Sequence, residues 1–238
     1  MKKKVAVLFF GLTRSLRNTY ANIKENIFDQ LTNSGYEYDT FLHTYLLDNP
    51  YINPWSGEKV SDYDNSSYKI LNPRDYILQK QKLVEQNLRI SQYFAKLGNW
   101  AGCADTINMK AYLVRNMVLA LHSKKKVVEL FSKYKSEYDY VIIARPDQIY
   151  NTRLNVNSFK LLNTKNIIIP VEHSYHGYND RFCIATPDVA LKYGLAFDSL
   201  KKYSEVKSIV SEVYMKDYLT NNNISIIFSN LKADLLRC

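Results

Sequence analysis

Tyr138-Asp139-Tyr140-Val141-Ile142-Ile143-Ala144-Arg145-Pro146-Asp147-Gln148-Ile149-Tyr150 is the stretch that decides the fold. Val141, Ile142 and Ile143 form a β-branched run too short for a helix and bounded by polar residues. That pattern predicts a strand covered on both faces. Pro146 has no backbone donor, so regular pairing ends beside Arg145. Arg145 and Asp147 therefore emerge together at the carboxyl end of the strand, the edge at which open α/β sheets bind ligands. A carboxylate there can hold a divalent cation, and an arginine can grip a phosphate. A plain surface ion pair, worth only about 0–1 kcal/mol, is the competing reading of the same residues.

The same alternation extends to both sides. Val5–Phe10 reads as a buried strand and Gly11–Ser15 as the turn out of it. Leu16, Tyr20, Ile23, Ile27 and Leu31 then recur at helical spacing, predicting a helix from near Thr13–Ser15 to just before Gly35. Its N-terminal amides, with Thr13, Arg14 and Arg17, face the end of the first strand, a usual place for a phosphate. Neither a Walker lysine pattern nor a G-x-G-x-x-G run accompanies them. Tyr38–Tyr45 reads as a second strand, with His43 at its end, where a histidine is more often a satisfied structural residue than a ligand.

Residues 46–72, with Pro50, Pro54 and Gly57, read as a long loop. Asn72-Pro73 has the look of a helix start, predicting a charged helix over about 74–97 that breaks at Gly98–Gly102. A second long helix carries Ile107, Val114, Met117, Val118, Leu121, Val128 and Phe131, with Arg115 and Asn116 beside the stripe and Lys124–Lys126 as a solvated face. Beyond the central stretch come a strand at Asn166–Val171, a polar loop at His173–Arg181 and a strand at Phe182–Ala185. A proline-started helix to about Tyr203, a helix over about 205–219 and a strand at Ile224–Phe228 follow. The order predicts an α/β fold, a Rossmann-like, mostly parallel sheet with helices on both faces. A single domain spans 1–238, with residues 46–105 as a helical and loop insertion or lid.

At 238 residues and 46% hydrophobic content the chain can bury a full core. The net charge of +9 is scattered apart from Lys2–Lys4 and Lys124–Lys126, which suits anionic small molecules and supplies no basic face for nucleic acid. Cys103, Cys183 and Cys238 are odd in number and far apart, which points to a reducing, cytoplasmic setting. The apolar run after Lys2–Lys4 is too short for a secretory core or a membrane span. His173 and His176 lack a third nearby ligand for a metal.

Several stretches, in order, resemble a known family: Gly11-Leu-Thr-Arg14, Asp39-Thr-Phe-Leu-His43-Thr44, Arg145-Pro-Asp147, Asn179-Asp180-Arg181-Phe182, Ser211-Glu212 and Leu236-Arg237. They resemble the landmarks of GT-A-type glycosyltransferases, in particular bacterial and large-virus enzymes that build surface polysaccharide or glycan chains. The resemblance spans the chain except residues 46–105. It implies a GT-A-like fold that moves a sugar from a nucleotide-sugar donor to a glycan or other hydroxyl acceptor, in the host cytoplasm for a viral enzyme. Substrate contacts are implied for Gly11, Thr13, Arg14, Arg17, His43, Thr44, Arg115, Arg145, His176, Asn179, Arg181 and Arg237. Asp147 stands at the last acidic position of the family's metal motif, implying Mn²⁺ or Mg²⁺, although Arg145 replaces the first aspartate. Asp180 and Glu212 compete as general base, with preference to Asp180 for its polar loop. Rival functions are a metal-dependent nuclease or phosphotransferase using Asp147, Asp180 and Glu212, and a catalytically dead nucleotide-sugar-binding relative.

Overall fold

The structure, a computed structural model, describes residues 2–48, 50–96 and 106–237. The break expected at Gly98–Gly102, together with Cys103 and Cys238, lies outside the described residues. A seven-stranded sheet is the frame. It is built from β1 (Lys4–Phe10), β2 (Glu37–Leu46), β5 (Asp75–Lys80), β6 (Tyr140–Ala144), β8 (Asn166–Pro170), β9 (Phe182–Ala185) and β10 (Ser225–Ser229). Their order is β10-β8-β9-β6-β1-β2-β5. Every neighbouring pair is parallel except the two made by β9, which runs against β6 and β8. The short strands β3 (Tyr51–Asn53) and β4 (Glu58–Val60) form one hairpin, and β7 (Gln148–Tyr150) pairs antiparallel with β11 (Ala233–Leu235).

Two cores explain why the central strands are apolar without alternation. Ala6, Leu8 and Phe10 of β1 and Val141 and Ile143 of β6 enter one core; Val5, Val7 and Phe9, with Tyr140, Ile142 and Ala144, enter the other. A period of two on a sheet covered on both faces demands apolar residues at every position. Each fully buried aliphatic side chain contributes about 1.5–3 kcal/mol. On the first face lie α4 (Ile107–Phe131), α5 (Pro187–Gly194), α6 (Phe197–Val206) and α7 (Ser211–Asn221). The other is covered by α1 (Leu16–Ile23), a π-helical turn at Lys24–Phe28 and α2 (Asp29–Asn33). Together these three make up the helix expected before Gly35.

Three expectations are corrected. The helix predicted over 74–97 begins instead as β5, the edge strand of the main sheet, with only α3 (Gln81–Leu88) and a 3-10 turn at Ile90–Tyr93 following it. Asn72 sits at φ 45° and closes the preceding 3-10 turn, so it ends an element where a helix start was expected. The second correction concerns Lys124 on α4, which is 1% exposed, not solvated. The helix expected through Tyr203 is divided into α5 and α6, and the next one starts at Ser211.

Gly194 brings α5 onto α4: a Cβ added there would stand 2.4 Å from both methyl carbons of Val128. Alanine gains about 1 kcal/mol of helix propensity over glycine, whereas overpacking a core costs about 1–3 kcal/mol. Gly194→Ala should therefore lower the urea midpoint. A midpoint at or above that of the parent protein would mean that the two helices do not touch as described.

Candidate functional site

Sheet register gathers the polar loops onto one edge. Phe10 pairs with His43, Phe9 with Ala144, and Ala144 with Phe182. The loops after β1, β2 and β6 thus leave side by side, and antiparallel β9 contributes the loop before it, ending in Asp180 and Arg181. β1 connects onward to β2 on one side, and β6 flanks it on the other, so the chain reverses its order between β1 and β6. Crevices at such reversal points are where open α/β sheets place ligands.

At that point Asp147 is fully buried. Arg145 grips it through two bonds, Nε to Oδ1 at 2.8 Å and Nη2 to Oδ2 at 2.6 Å, and Arg14 adds Nη2 to Oδ2 at 3.2 Å. Burial alone would raise the Asp147 pKa; the Arg145 charge and hydrogen bonds, then Arg14, hold it below the usual range. Arg14 is itself enclosed, with Nε 3.1 Å from Glu58 Oε1 and Nη1 donating to Tyr51 Oη at 3.3 Å. The chain around the pair is fastened by backbone groups. Thr19 donates to the Pro146 carbonyl, Leu236 N–H to the Asp147 carbonyl, and Ser15 Oγ to the Leu236 carbonyl. Those last two bonds deliver Arg237 to Arg14 and Arg145. Arg237 is exposed as a residue, but the partial enclosure of its guanidinium, and then the two neighbouring cations, lower its pKa. Among the described residues no carboxylate pairs with Arg237, so the cluster carries an excess of positive charge.

A second cluster adjoins it. Ser211 Oγ donates to Asp180 Oδ2 at the start of α7. Glu212 is pushed up to about 7, chiefly by burial and then by the Asp180 charge. The backbones here are closely apposed: Tyr178 N–H donates to the Glu212 carbonyl at 2.9 Å, and a Cβ added at Gly177 would lie 2.0 Å from that carbonyl. Only glycine allows this approach. Beneath Asp180 the buried Lys124 ammonium donates to its carbonyl at 2.8 Å and to Tyr193 Oη at 3.2 Å, between the rings of Phe10 and Tyr193. Burial lowers its pKa to about 8.

The structure thus brings together Arg14, Arg145, Asp147, Arg237, Asp180 and Glu212, with Gly11 beside them at φ 98°, its N–H bonded to Ser123 Oγ. Thr13 is buried against Ser67. Other expected contacts are occupied elsewhere. His43 is enclosed, Nδ1 at 2.7 Å from Ser123 Oγ and Nε2 at 2.9 Å from Gln79 Oε1, and burial depresses its pKa to about 3. It is a neutral residue of the core. Thr44 is buried next to it in sequence, its hydroxyl without a hydrogen-bond partner among the described residues. Arg17 pairs with Asp64 on the surface and Arg115 with Glu85. Asn179 is buried; its amide donates to the Glu172 carbonyl while its oxygen accepts from the N–H groups of Arg181 and Phe182, fixing the turn into β9. Arg181 is partly exposed, and His176 is exposed at φ 67°. Sequence reading missed Tyr51 and Glu58, which arrive from a loop without periodicity. It also missed Lys124, although that residue follows Leu121 by three and precedes Val128 by four, the spacing of the apolar stripe itself.

Compared with known proteins, the chain matches no family model and no curated relative.

The raised pKa of Glu212 makes a prediction about stability. A carboxyl group whose folded pKa lies above its unfolded value near 4.5 favours the fold when protonated. That contribution is complete below about pH 4.5 and is lost as pH rises through about 7. Glu212→Gln should flatten the fall of the urea midpoint across this window. Parallel pH profiles for the two proteins would show that Glu212 is solvated.

Proposed function

We propose that the protein is a glycosyltransferase that moves a sugar from a nucleotide-sugar donor to a hydroxyl of a glycan or other acceptor. One observation carries this reading: three arginines, Arg14, Arg145 and Arg237, meet two carboxylates at the sheet's reversal point, with the Asp180 and Glu212 carboxyls beside them. Such an edge suits a diphosphate, and the adjoining acids suit the proton of an attacking hydroxyl. The order of short motifs along the chain supports the same reading. The acceptor oxygen forms a bond to the anomeric carbon as the bond to the diphosphate oxygen breaks. Arginines stabilise the charge that develops on the leaving group.

Base duty falls to Glu212. Its pKa near 7 matches proton transfer at neutral pH, whereas Asp180, favoured on sequence, acts by keeping that pKa high and by fixing the start of α7 through Ser211. Asp147 does not fit a divalent cation: it is fully buried with both its oxygens bonded to guanidinium groups, and no step of this mechanism passes through a metal. Among the described residues no helix is long and apolar enough to cross a membrane.

Thermal shift with UDP, GDP, dTDP and CMP sugars tests the donor. Ligand at 100 times its Kd should stabilise the fold by about 2.7 kcal/mol. No shift with any of them, from folded protein, removes the reading. Kinetics test the base. Glu212→Gln should lower kcat about 10²–10⁴-fold, and Asp180→Asn should move the acid limb of the kcat profile to lower pH by removing a like charge. An unmoved limb with equal losses at both positions would exclude this division of roles.

A further inference from the structure

Resting on the donor reading above, we infer that the diphosphate is bound without a divalent cation, by Arg145 and Arg237, with the Asp147 carboxylate aiming Arg145 and the Asp147 carbonyl anchoring the segment that carries Arg237.

The assignment comes from which donors are used and which are open. Arg14 is walled in, with Nε 3.1 Å from Glu58 Oε1, Nη1 donating to Tyr51 and Nη2 to Asp147, and its side chain is 5% exposed. Arg145 spends only Nε and Nη2 on Asp147; its Nη1 has no partner among the described residues, and its side chain is 18% exposed. Arg237 is exposed beside them and has no anionic partner among the described residues. The open N–H groups of two guanidinium forks thus remain for an anion, and a fork matches phosphate oxygens in pairs.

The carboxylates, by contrast, are closed to a metal. Mg²⁺ requires oxygens in near-octahedral array at about 2.0–2.1 Å. At Asp147 it would have to displace a buried two-bond arginine grip. Glu58 is 5% exposed, with Oε2 accepting from Ser56 Oγ at 2.6 Å and Oε1 facing Arg14. A dication inserted here would also meet three guanidinium charges. Among the described residues no three His, Cys, Asp or Glu side chains are placed to hold a metal. The aspartate that a metal motif would use is instead the post on which two arginines are mounted.

Calorimetric titration of the full chain with UDP and GDP, in EDTA and then in excess Mg²⁺ or Mn²⁺, tests this. Binding should be present in EDTA and no tighter with either cation. Mn²⁺ alone, followed by electron paramagnetic resonance, should show no protein-bound ion. Arg145→Ala and Arg237→Ala should each weaken binding in EDTA roughly 10- to 100-fold, the range for hydrogen bonds to charged groups. Arg17→Ala, at a surface pair, should not weaken it. Arg237 lies exposed on the terminal segment, so its variant keeps the test open if Arg145→Ala does not fold. Binding that requires Mn²⁺ or Mg²⁺ overturns this inference and leaves the donor reading standing. Binding indifferent to both arginine substitutions overturns it as well, and no binding under either condition removes both.

Discussion

A buried carboxylate held by two guanidinium groups is the constraint on which this site depends. Asp147 is closed to solvent and would be costly to keep ionised alone; the net cost of stripping such a group of its partner is about 3–5 kcal/mol. Its partners are therefore not optional. Arg145 comes from its own turn, but Arg14 comes from the end of another strand, so the interaction ties β1 to β6 at their carboxyl ends. Pro146 makes this possible by ending the strand, and its carbonyl, freed from the ladder, is taken by Thr19 of α1. The surface pair Arg17–Asp64, with Arg17 mostly exposed, shows the contrast: similar chemistry in water contributes at most about 1 kcal/mol.

From that tie the remaining parts acquire their places. The terminal segment docks on the Asp147 and Ser15 groups and brings a third guanidinium to the two already present. The single reversed strand, β9, lets a loop that enters a strand share an edge with loops that leave them. Positive charge accumulates around Asp147, and a raised-pKa carboxyl stands beside Asp180. The two kinds of group thus lie apart along one sheet edge, as the proposed transfer would require of charge stabilisation and proton acceptance.

Much of this was legible in sequence because burial on two faces leaves a strong mark. Val5–Phe10, Val141–Ala144 and Phe182–Ala185 are apolar at every position, and no other element of that length explains such runs. Arg145 and Asp147 were legible for the same reason, since proline fixed where the strand stops. Asp75–Lys80 was not: an edge strand buries little, so its sequence lacks the signature, and the preceding Asn-Pro pair imitated a helix start. His43 showed its position in the chain but not its burial, and only the fold supplies Ser123 and Gln79 as partners. Glu58 and Tyr51 reach Arg14 from a segment whose sequence carries no period at all. Lys124 was misread by chemical type, as a lysine expected in water, against the stripe spacing that placed it inside.

That lysine has a bearing on movement. Its ammonium is enclosed by two aromatic rings and satisfied by the Asp180 carbonyl and one phenol. A displacement of the Asp180 backbone outward would leave a charge in apolar surroundings with a single neutral partner, and the energy would climb steeply over a fraction of an ångström. The segment before β9 is consequently stiff where it meets α4, however mobile a surface loop of its composition would otherwise be. The Asp180 carboxyl set on such a mount cannot drift, and in the glycosyltransferase proposed above that rigidity would make the wall selective for a well-aligned hydroxyl.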